Sequence, residues 1–456
     1  MIHFLEKVNS FVWGAPALTL ILGVGIWLSI KTRLIQIRFF PKALSFFLKP
    51  FFNKNEHRGS SSYRALCTAL AATVGTGNLA GVAGAITIGG PGAVFWMWIC
   101  AILGMVIKFT EATLSIRYRE CNDHGEYLGG PMYMAIKGMP TKWHWLAGLY
   151  AFFGVIASFG VGNATQINTV IASLKTALNS YGYTESRWLN FIVGLLLALL
   201  VTIMFRGGSK RIGKIAEGLI PLLSMTYLLI SLYVLIVCRN SILNAFKLIL
   251  QGAFCPQAVT GGMIGSMFQG MRVGASRGTF TNEAGMGTAS IAHASAKVNH
   301  PCEQGLMGIM EVFIDTILIC TMTALVILCS GVRIPYGEDT GIALTTNAFV
   351  HVCGPWVSFI ITISLCLFAL ATVLGWGLYG GRCAQYLFGE KAWDWFVFCQ
   401  AVMVVVGAVL STDTLWLASE IVNGLMVIPN LIILTHLTPE LSKLVKKYEY
   451  HITKRV

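Results

Sequence analysis

The chain has 456 residues, of which 55% are hydrophobic and only 12% are charged, and its mean hydropathy is +0.69. Soluble domains carry about 25% charged residues, so this composition argues against a soluble enzyme and indicates a polytopic membrane protein. The net charge of +13 comes from lysines and arginines that lie between apolar runs, which is typical of a topology signal and not of a nucleic-acid surface.

The apolar runs predict an all-α protein with eleven transmembrane helices, because about 20 residues are needed to cross a bilayer. The spans are expected at 12–31, 63–88, 90–112, 146–171, 189–205, 213–238, 259–297, 304–330, 343–377, 393–411 and 413–436. The twelve cysteines are scattered singly, which predicts neither a disulfide framework nor a zinc site. The first residues lack a basic region and a cleavage site, so no removed signal peptide is expected.

The distribution of basic residues predicts the orientation. If the first loop is cytoplasmic, the loops on that side carry 21 lysines and arginines, and those on the opposite side carry 6. Lysine and arginine favour the cytoplasmic side of a membrane. The N-terminus is therefore predicted outside and the C-terminus in the cytoplasm.

The second and the seventh spans are both interrupted by glycines. The sequence GTGNLAG occupies 75–81, and five glycines between Gly270 and Gly287 accompany Arg272, Arg277 and Glu283. The two interrupted spans lie five spans apart, so each opens one half of a ten-helix core. Such a pair predicts an inverted-repeat transporter whose substrate binds at the breaks. The expected parts are an N-terminal extra helix and loop (1–62), two five-helix repeats (63–238 and 259–436) and a basic cytoplasmic tail (437–456).

The break in the second span offers two kinds of backbone group. The N-terminal end of a half-helix presents N–H groups that suit a carboxylate, and a C-terminal end presents carbonyls that suit a hard cation. Here Gly75 and Gly77 permit close approach, Thr76 and Asn78 add oxygens, and the carbonyls of Ala71 and Val74 end the preceding half-helix. The alternative is that the glycines only allow close helix packing.

The seventh span contributes Phe280, Thr281 and Asn282 between its glycines, which predicts an aromatic wall and two polar groups facing the same space. In the fourth span, Gln166 is expected either to contact the ligand or to bond a neighbouring helix. In the ninth, Thr372 either offers its hydroxyl to a cation or bonds its own helix.

Other polar or aromatic residues in the apolar runs have more open roles. Trp376 is expected to pack or to gate, and Lys108 with Glu111 is most simply an i, i+3 ion pair. Glu311 and Asp315 share a face of the eighth span and either relay protons or pair structurally with a basic residue. His293 has no metal-ligand partner at suitable spacing and is expected to be packed or hydrogen-bonded. The role of Glu283 is left open.

Several motifs, in order along nearly the whole chain, resemble the sodium:alanine symporter family, also called alanine or glycine:cation symporters. The stretch GGPGAVFWMWICAILG from Gly89 to Gly104 resembles the family signature. It is accompanied by VGTGNLAGVAGAI, KFTEATLSIRYR, GGPMYM, RGTFTNEAGMG, DTILICTMTALVIL and LGWGLYGG. The chain departs from the family pattern at Thr281, where serine is usual, and at Gly381, where the family tends to carry glutamate.

The resemblance implies a leucine-transporter-type fold within the amino acid-polyamine-organocation superfamily, and sodium-coupled uptake of small neutral amino acids across a prokaryotic inner membrane. By matching positions, it implies substrate contacts from Thr76, Gly77, Asn78, Gln166, Phe280, Thr281, Asn282 and Trp376. It implies a sodium site formed by Ala71, Val74, Ala371 and Thr372. Alanine and glycine are the expected substrates, with serine or D-alanine as further candidates.

Three alternatives remain at this point. A proton-coupled transporter of the same fold would need a lysine or an acid at the cation site, and none lies beside Thr372 or Val74 in the sequence. An intramembrane enzyme would need a nucleophile or metal constellation that the spacing lacks. A channel would need a continuous polar pore instead of one central site. The sodium stoichiometry, the stereoselectivity and the oligomeric state are not predicted.

Overall fold

The computed structural model describes residues 2–52, 61–123, 125–179, 187–262, 266–338, 341–409 and 413–454. The described chain is almost entirely helical, as the composition predicts. Its α-helices are α1 Ile2–Val12, α2 Ala15–Lys31, α3 Ile35–Arg38, α4 Phe40–Phe52, α5 Ser61–Thr73, α6 Val82–Gly89, α7 Ala93–Tyr118, α8 Pro131–Gly138, α9 Trp145–Phe159, α10 Thr165–Asn179, α11 Arg187–Phe205, α12 Gly208–Val237, α13 Arg239–Phe254, α14 Pro256–Thr260, α15 Met267–Asn282, α16 Thr288–His293, α17 Pro301–Val312, α18 Thr321–Cys329, α19 Ile342–Cys353, α20 Trp356–Phe388, α21 Ala392–Val409 and α22 Asp413–Thr453.

Some short segments depart from the α-helical pattern. The strands β1 Glu120–Cys121 and β2 Tyr127–Leu128 pair antiparallel, with Glu120 opposite Leu128. A 3₁₀ turn occupies Thr141–Trp143, and π-helical segments occupy Gly77–Gly81, Gly160–Ala164 and Phe313–Cys320. Because π-helical turns often occur at functional sites, these three segments indicate where the spans are specialised.

Within the described residues, eight helices are long and apolar enough to cross a membrane, and nine if a bent pair counts as one span. The bent pair is Ser61–Thr73 with Gly77–Gly89, whose axes differ by 54°. Two of the eleven predicted spans are not in this group. The first predicted span is the 17-residue helix α2. The seventh is divided into α15 and α16, and each of these helices is too short to cross a membrane.

The interruption of the second span lies where the glycines predict it. Helix α5 ends at Thr73, the helix resumes as a π-helical segment at Gly77, and α6 continues to Gly89. The amide of Gly75 donates to Asn78 Oδ1 at 2.8 Å instead of continuing the helical ladder. The side chain of Asn78 therefore replaces a backbone acceptor that lipid could not supply.

The seventh span is also interrupted, but its predicted bounds of 259–297 are wrong. Helix α15 ends at Asn282 and α16 runs from Thr288 to His293, and 263–265 lie outside the described residues. The five residues between these helices include three with positive φ, namely Glu283 (53°), Gly285 (93°) and Gly287 (78°). Left-handed backbone cannot continue a right-handed helix, so these residues end α15.

Two further boundaries differ from the prediction. The ninth span, predicted at 343–377, is the short helix α19 followed by the 33-residue helix α20. Gly354, with φ of 87°, and Pro355 separate them, because a left-handed glycine ends a helix and a proline readily starts one. The loop predicted at 239–258 is largely helix α13.

Helix α20 packs closely against α5 at Gly375. A Cβ atom at Gly375 would lie 2.7 Å from the nitrogen and 2.9 Å from the Cα of Ala72, and backbone atoms cannot yield as a flexible side chain can. We therefore expect Gly375→Ala to destabilise the protein by about 1–3 kcal/mol, as overpacking does. The measurement is thermal unfolding of the purified protein in detergent.

Gly218→Ala is the matched control, since Gly218 is exposed in α12 and a Cβ there would meet nothing within 4 Å. Alanine in that helix interior should be neutral or stabilising by up to about 1 kcal/mol. Equal stability of the two variants would contradict the close contact between α20 and α5.

Candidate functional site

A cavity of about 500 Å³ lies between the two broken spans. This central cavity is lined by seven of the residues singled out in the sequence: Thr76, Gly77, Gln166, Phe280, Thr281, Thr372 and Trp376. Asn78 and Asn282 are buried behind its wall, as are Ala71, Val74 and Ala371. The breaks of both spans thus face the same cavity, together with polar groups from the fourth and ninth spans.

Thr76 and Gln166 connect the break in the second span to the fourth span. The Thr76 hydroxyl donates to Gln166 Oε1 at 3.1 Å, and Gln166 Nε2 donates to the backbone oxygen of Val161 at 3.1 Å. Val161 belongs to the π-helical segment Gly160–Ala164. Gln166 therefore makes the interhelical bond that was one of its two predicted roles, while also lining the cavity.

Asn78 holds the break in shape. Its Oδ1 accepts from the amide of Gly75, and its Nδ2 donates to Asp315 Oδ1 at 2.7 Å. Asp315 also accepts at Oδ2 from the hydroxyl of Thr316 at 2.8 Å. In this arrangement Asn78 braces the second span against the eighth, and Thr76 is the nearer of the two predicted polar residues to the cavity.

Thr281 and Asn282 occupy different positions at the end of α15. The methyl group of Thr281 faces Gly77, where a Cβ atom would lie 3.4 Å away, and its hydroxyl donates to Gly278 O at 2.9 Å. Asn282 Oδ1 accepts from the amide of Ala284 at 3.0 Å, and Nδ2 donates to the hydroxyl of Thr316 at 3.1 Å. Thr281 shapes the cavity, and Asn282 ties the second break to the eighth span.

The oxygens predicted to bind sodium lie where α5 meets α20. The Thr372 hydroxyl is buried and has no hydrogen-bond partner among the described residues. It faces Gly75, where a Cβ atom would lie 2.7 Å from it. In an unbroken helix the amides of Gly75 and Asn78 would donate to the carbonyls of Ala71 and Val74. Here they donate instead to Asn78 Oδ1 and to Gly75 O, respectively. An orphaned hydroxyl beside carbonyls released from the helix fits a sodium ion.

Glu283 also lines the central cavity, and the sequence analysis left its role open. Its side chain is 3% exposed, and its backbone has a left-handed conformation that is uncommon outside glycine. Trp376 Nε1 donates to Oε1 at 2.8 Å, and the hydroxyl of Thr288 donates to Oε2 at 2.6 Å. Acidic residues at membrane depth are functional candidates by default, and this signal could have identified Glu283.

Glu111 organises the break in the seventh span. Its Oε1 accepts from the amides of Gly285 and Gly287, both at 3.1 Å, and from Asn430 Nδ2 at 2.8 Å. The predicted ion pair with Lys108 is therefore wrong. Lys108 Nζ lies 2.7 Å from Oε1 of Glu311 on α17, because a carboxylate on the facing helix competes with the one on its own.

Glu311 and His293 form a buried polar chain with Gln304. His293 Nε2 lies 2.9 Å from Glu311 Oε2, and its Nδ1 lies 2.6 Å from Gln304 Nε2. Glu311 thus makes the structural pair that was one of its two predicted roles, and His293 is hydrogen-bonded, which was one of the two roles expected for it. This chain joins α16 to α17.

A second cavity, the Arg272 vestibule, has a volume of about 290 Å³ and adjoins the central cavity. The two share Arg277, Phe280 and Glu420. Arg277 Nη1 lies 4.0 Å from Glu420 Oε1, and Glu420 Oε2 accepts from Asn9 Nδ2 at 2.7 Å. The sequence reasoning missed Glu420, although an acid inside the apolar run 413–436, whose other acid, Asp413, lies at its first position, was a visible signal.

A third cavity, the Arg382 vestibule, has a volume of about 510 Å³ and lies toward the C-terminal end of α20, where Leu378 and Arg382 line it. Arg382 Nη2 contacts Glu126 Oε2 at 2.6 Å, which ties α20 to the segment between β1 and β2. Burial alone would raise the pKa of Glu126, but the hydrogen bond and charge of Arg382 hold it below its usual value. This ion pair therefore persists at neutral pH.

The sequence model of the sodium:alanine symporter family matches residues 1–455. The chain is 40% identical over 437 residues to the sodium/alanine symporter AgcS of Methanococcus maripaludis, covering 94% of this chain and 93% of that protein. It is 34% identical over 443 residues to the amino-acid carrier protein AlsT of Bacillus subtilis, covering 96% and 90%. The solved structure of MhsT in complex with L-phenylalanine is similar in fold, with a TM-score of 0.59, 14% identity and coverage of 82% and 88%.

The Thr372 hydroxyl, which has no hydrogen-bond partner in the part of the chain that the structure describes, gives a direct test of the predicted sodium site. Thr372→Val keeps the side-chain shape and removes the oxygen, so we expect the sodium concentration for half-maximal binding to rise about tenfold or more. Thr372→Ser should remain close to wild type. The measurement is sodium titration of the purified protein by calorimetry.

Thr226→Val is the control, because Thr226 is partly exposed on α12, does not line the central cavity, and its hydroxyl donates to Leu222 O of its own helix at 2.9 Å. It should bind sodium as the wild type does. Unchanged sodium affinity in Thr372→Val would remove Thr372 from the site.

Proposed function

We propose, from the premise that this chain belongs to the sodium:alanine symporter family, that it imports small neutral amino acids together with sodium by alternating access. The protein is a sodium-coupled amino-acid symporter and not an enzyme. Alanine and glycine are the proposed substrates, with serine and D-alanine as further candidates. The observation that carries the proposal is the single cavity between two broken helices, lined by polar groups at both breaks.

The substrate carboxylate is placed at the break in the second span. The half-helix that begins at Gly77 has amides without acceptors inside that helix, and its end carries a partial positive charge. Thr76 and Gln166 stand beside it as hydrogen-bonding groups, and Phe280 and Trp376 provide apolar surface for a short side chain. Thr281 narrows the space next to Gly77, and Asn78 and Asn282 support the two breaks from behind.

The sodium ion is placed on the oxygens of Ala71, Val74, Ala371 and Thr372. Two observations support this position: within the described ranges the Thr372 hydroxyl has no hydrogen-bond partner, and the amides of Gly75 and Asn78 do not bond to the carbonyls of Ala71 and Val74. Sodium bound there would hold α5 against α20 next to the substrate. Each ligand would then increase the affinity for the other, since both stabilise the same closed arrangement.

The core is proposed to consist of two inverted five-helix repeats, at 63–238 and 259–436. The N-terminal part (1–62) contributes α2 as the additional transmembrane helix, and the shorter helices α1, α3 and α4 lie where the sequence predicted only a loop around it. The basic residues of 437–456 face the cytoplasm. The support lies in the two interrupted spans, five spans apart, and in the leucine-transporter-type fold indicated by the likeness to MhsT. An odd number of helices in each repeat is what inverts one relative to the other.

The proposed orientation in the prokaryotic inner membrane places the N-terminus outside, so two exposed native cysteines should lie on opposite sides. Cys255 follows α13 on the outer side, and Cys121 lies in β1 on the cytoplasmic side. A membrane-impermeant maleimide added to right-side-out vesicles should label Cys255 and not Cys121. The measurement is mass spectrometry of labelled peptides.

Detergent-permeabilised vesicles provide the control, since both cysteines should then react. The Cys255→Ser variant should lose its label in intact vesicles. Labelling of Cys121 alone in intact vesicles would reverse the orientation.

The transport function is tested by uptake of labelled alanine into proteoliposomes. An inward sodium gradient should drive accumulation, because the sodium site and the substrate site adjoin and share one closed state. A pH gradient without sodium should not. Uptake that follows only the pH gradient would make the protein a proton-coupled transporter, and absence of alanine, glycine and serine uptake would refute the proposed substrates.

A further inference from the structure

Glu283 lines the central cavity, and its carboxylate forms no salt bridge within the described residues. Its oxygens accept from the neutral donors Trp376 and Thr288. Lys108 is in contact with Glu311 and acts on Glu283 only from beyond contact distance, and Arg277 Nη1 lies 4.0 Å from Glu420 Oε1. A buried carboxylate without a cation in contact is costly, so the cavity favours a cationic group next to Glu283.

The helix ends around the cavity reinforce this preference. Helix α15 ends at Asn282, immediately before Glu283, and the C-terminal end of a 16-residue helix carries a partial negative charge. The half-helix beginning at Gly77 presents the opposite, positive end to the same cavity. Thr281, the residue two before Glu283, faces Gly77. The cavity therefore has a negative side and a positive side within the length of a small ligand.

We infer that Glu283 binds the ammonium group of the amino-acid substrate, while the amides at Gly77 bind its carboxylate. This inference rests on the proposed function. An α-amino acid carries both charges a few bonds apart, so it satisfies both sides of the cavity at once. Sodium is assigned elsewhere, to an oxygen set on α5 and α20 that contains no carboxylate.

The geometry also explains how Glu283 is held. Trp376 and Thr288 each fix one carboxylate oxygen, and Glu111 fixes the neighbouring amides of Gly285 and Gly287. Glu283 itself has φ of 53°, a conformation that non-glycine residues keep at functional sites despite its cost. The Glu283 side chain is thus oriented before a ligand binds. Such preorganisation lowers the cost of ordering the site on binding and favours ligands whose cationic group matches its geometry.

The consequence is selection for a primary ammonium group. An ammonium offers three N–H donors, whereas each added N-methyl group removes one donor and adds bulk against Glu283. Lactate, which replaces the ammonium with a hydroxyl, would leave the Glu283 charge uncompensated. The protein should therefore prefer alanine to N-methylalanine, N,N-dimethylalanine and lactate, in that order.

The test compares wild type, Glu283→Gln and Glu283→Asp in proteoliposomes under a fixed inward sodium gradient. Uptake of labelled alanine is measured with unlabelled alanine, N-methylalanine, N,N-dimethylalanine and lactate as competitors. Glu283→Gln is close in size and loses the charge, so the concentration of alanine for half-maximal competition should rise about ten- to hundredfold. The concentration of lactate for half-maximal competition should change little. The preference for alanine over lactate should therefore be lost.

Glu283→Asp retains the charge and should recover part of the preference, which separates loss of charge from loss of folding. The sodium concentration for half-maximal binding in the absence of alanine should be unchanged in both variants. Equal weakening of alanine and lactate in Glu283→Gln, or a shift confined to sodium, would overturn the assignment to the ammonium. A wild-type protein that transports no amino acid would overturn the proposed function and this inference together.

Discussion

The fold depends on one requirement of the bilayer: every backbone group released by a broken helix must find a partner inside the protein. At the first break, Asn78 accepts from the amide of Gly75. At the second, Glu111 accepts from the amides of Gly285 and Gly287, and the side chain of Asn282 accepts from that of Ala284. Each break is therefore a built structure with its own side-chain acceptors, and the groups left over face the central cavity.

The eighth span connects these two structures. In its π-helical segment, Asp315 accepts from Asn78 at the first break, and Thr316 accepts from Asn282 at the second. Thr316 in turn donates to Asp315, so one short hydrogen-bonded path joins both breaks. These two neighbouring residues therefore give the two breaks a direct hydrogen-bonded connection, which is a physical route by which the proposed binding of two ligands can be coupled.

The sequence predicted the positions of the helix breaks better than it predicted the side-chain contacts that stabilise them. Glycine clusters identify a helix interruption directly, so the break at Gly75 and Gly77 could be read from composition. The partner of Lys108 could not, because a residue three positions away on the same helix is visible in a sequence whereas Glu311 on a facing helix is not. For the same reason Asn430 and its bond to Glu111 went unnoticed. Hydropathy likewise merged α19 with α20, since both are apolar and only Gly354 and Pro355 separate them.

The central cavity is separated from the two vestibules by barriers of different structure. The Arg272 vestibule and the central cavity share Arg277, Phe280 and Glu420, so one layer of side chains lies between them. On the opposite side, Thr68 lines the Arg382 vestibule and Ala72 lines the central cavity. These two residues are separated by about one turn of α5, which is about 6 Å along the helix axis. The first barrier consists of side chains, whereas the second includes the backbone of a full helical turn. Exposed side chains change rotamer in picoseconds to nanoseconds, whereas collective helix motions take microseconds to milliseconds, so the two barriers differ in kind.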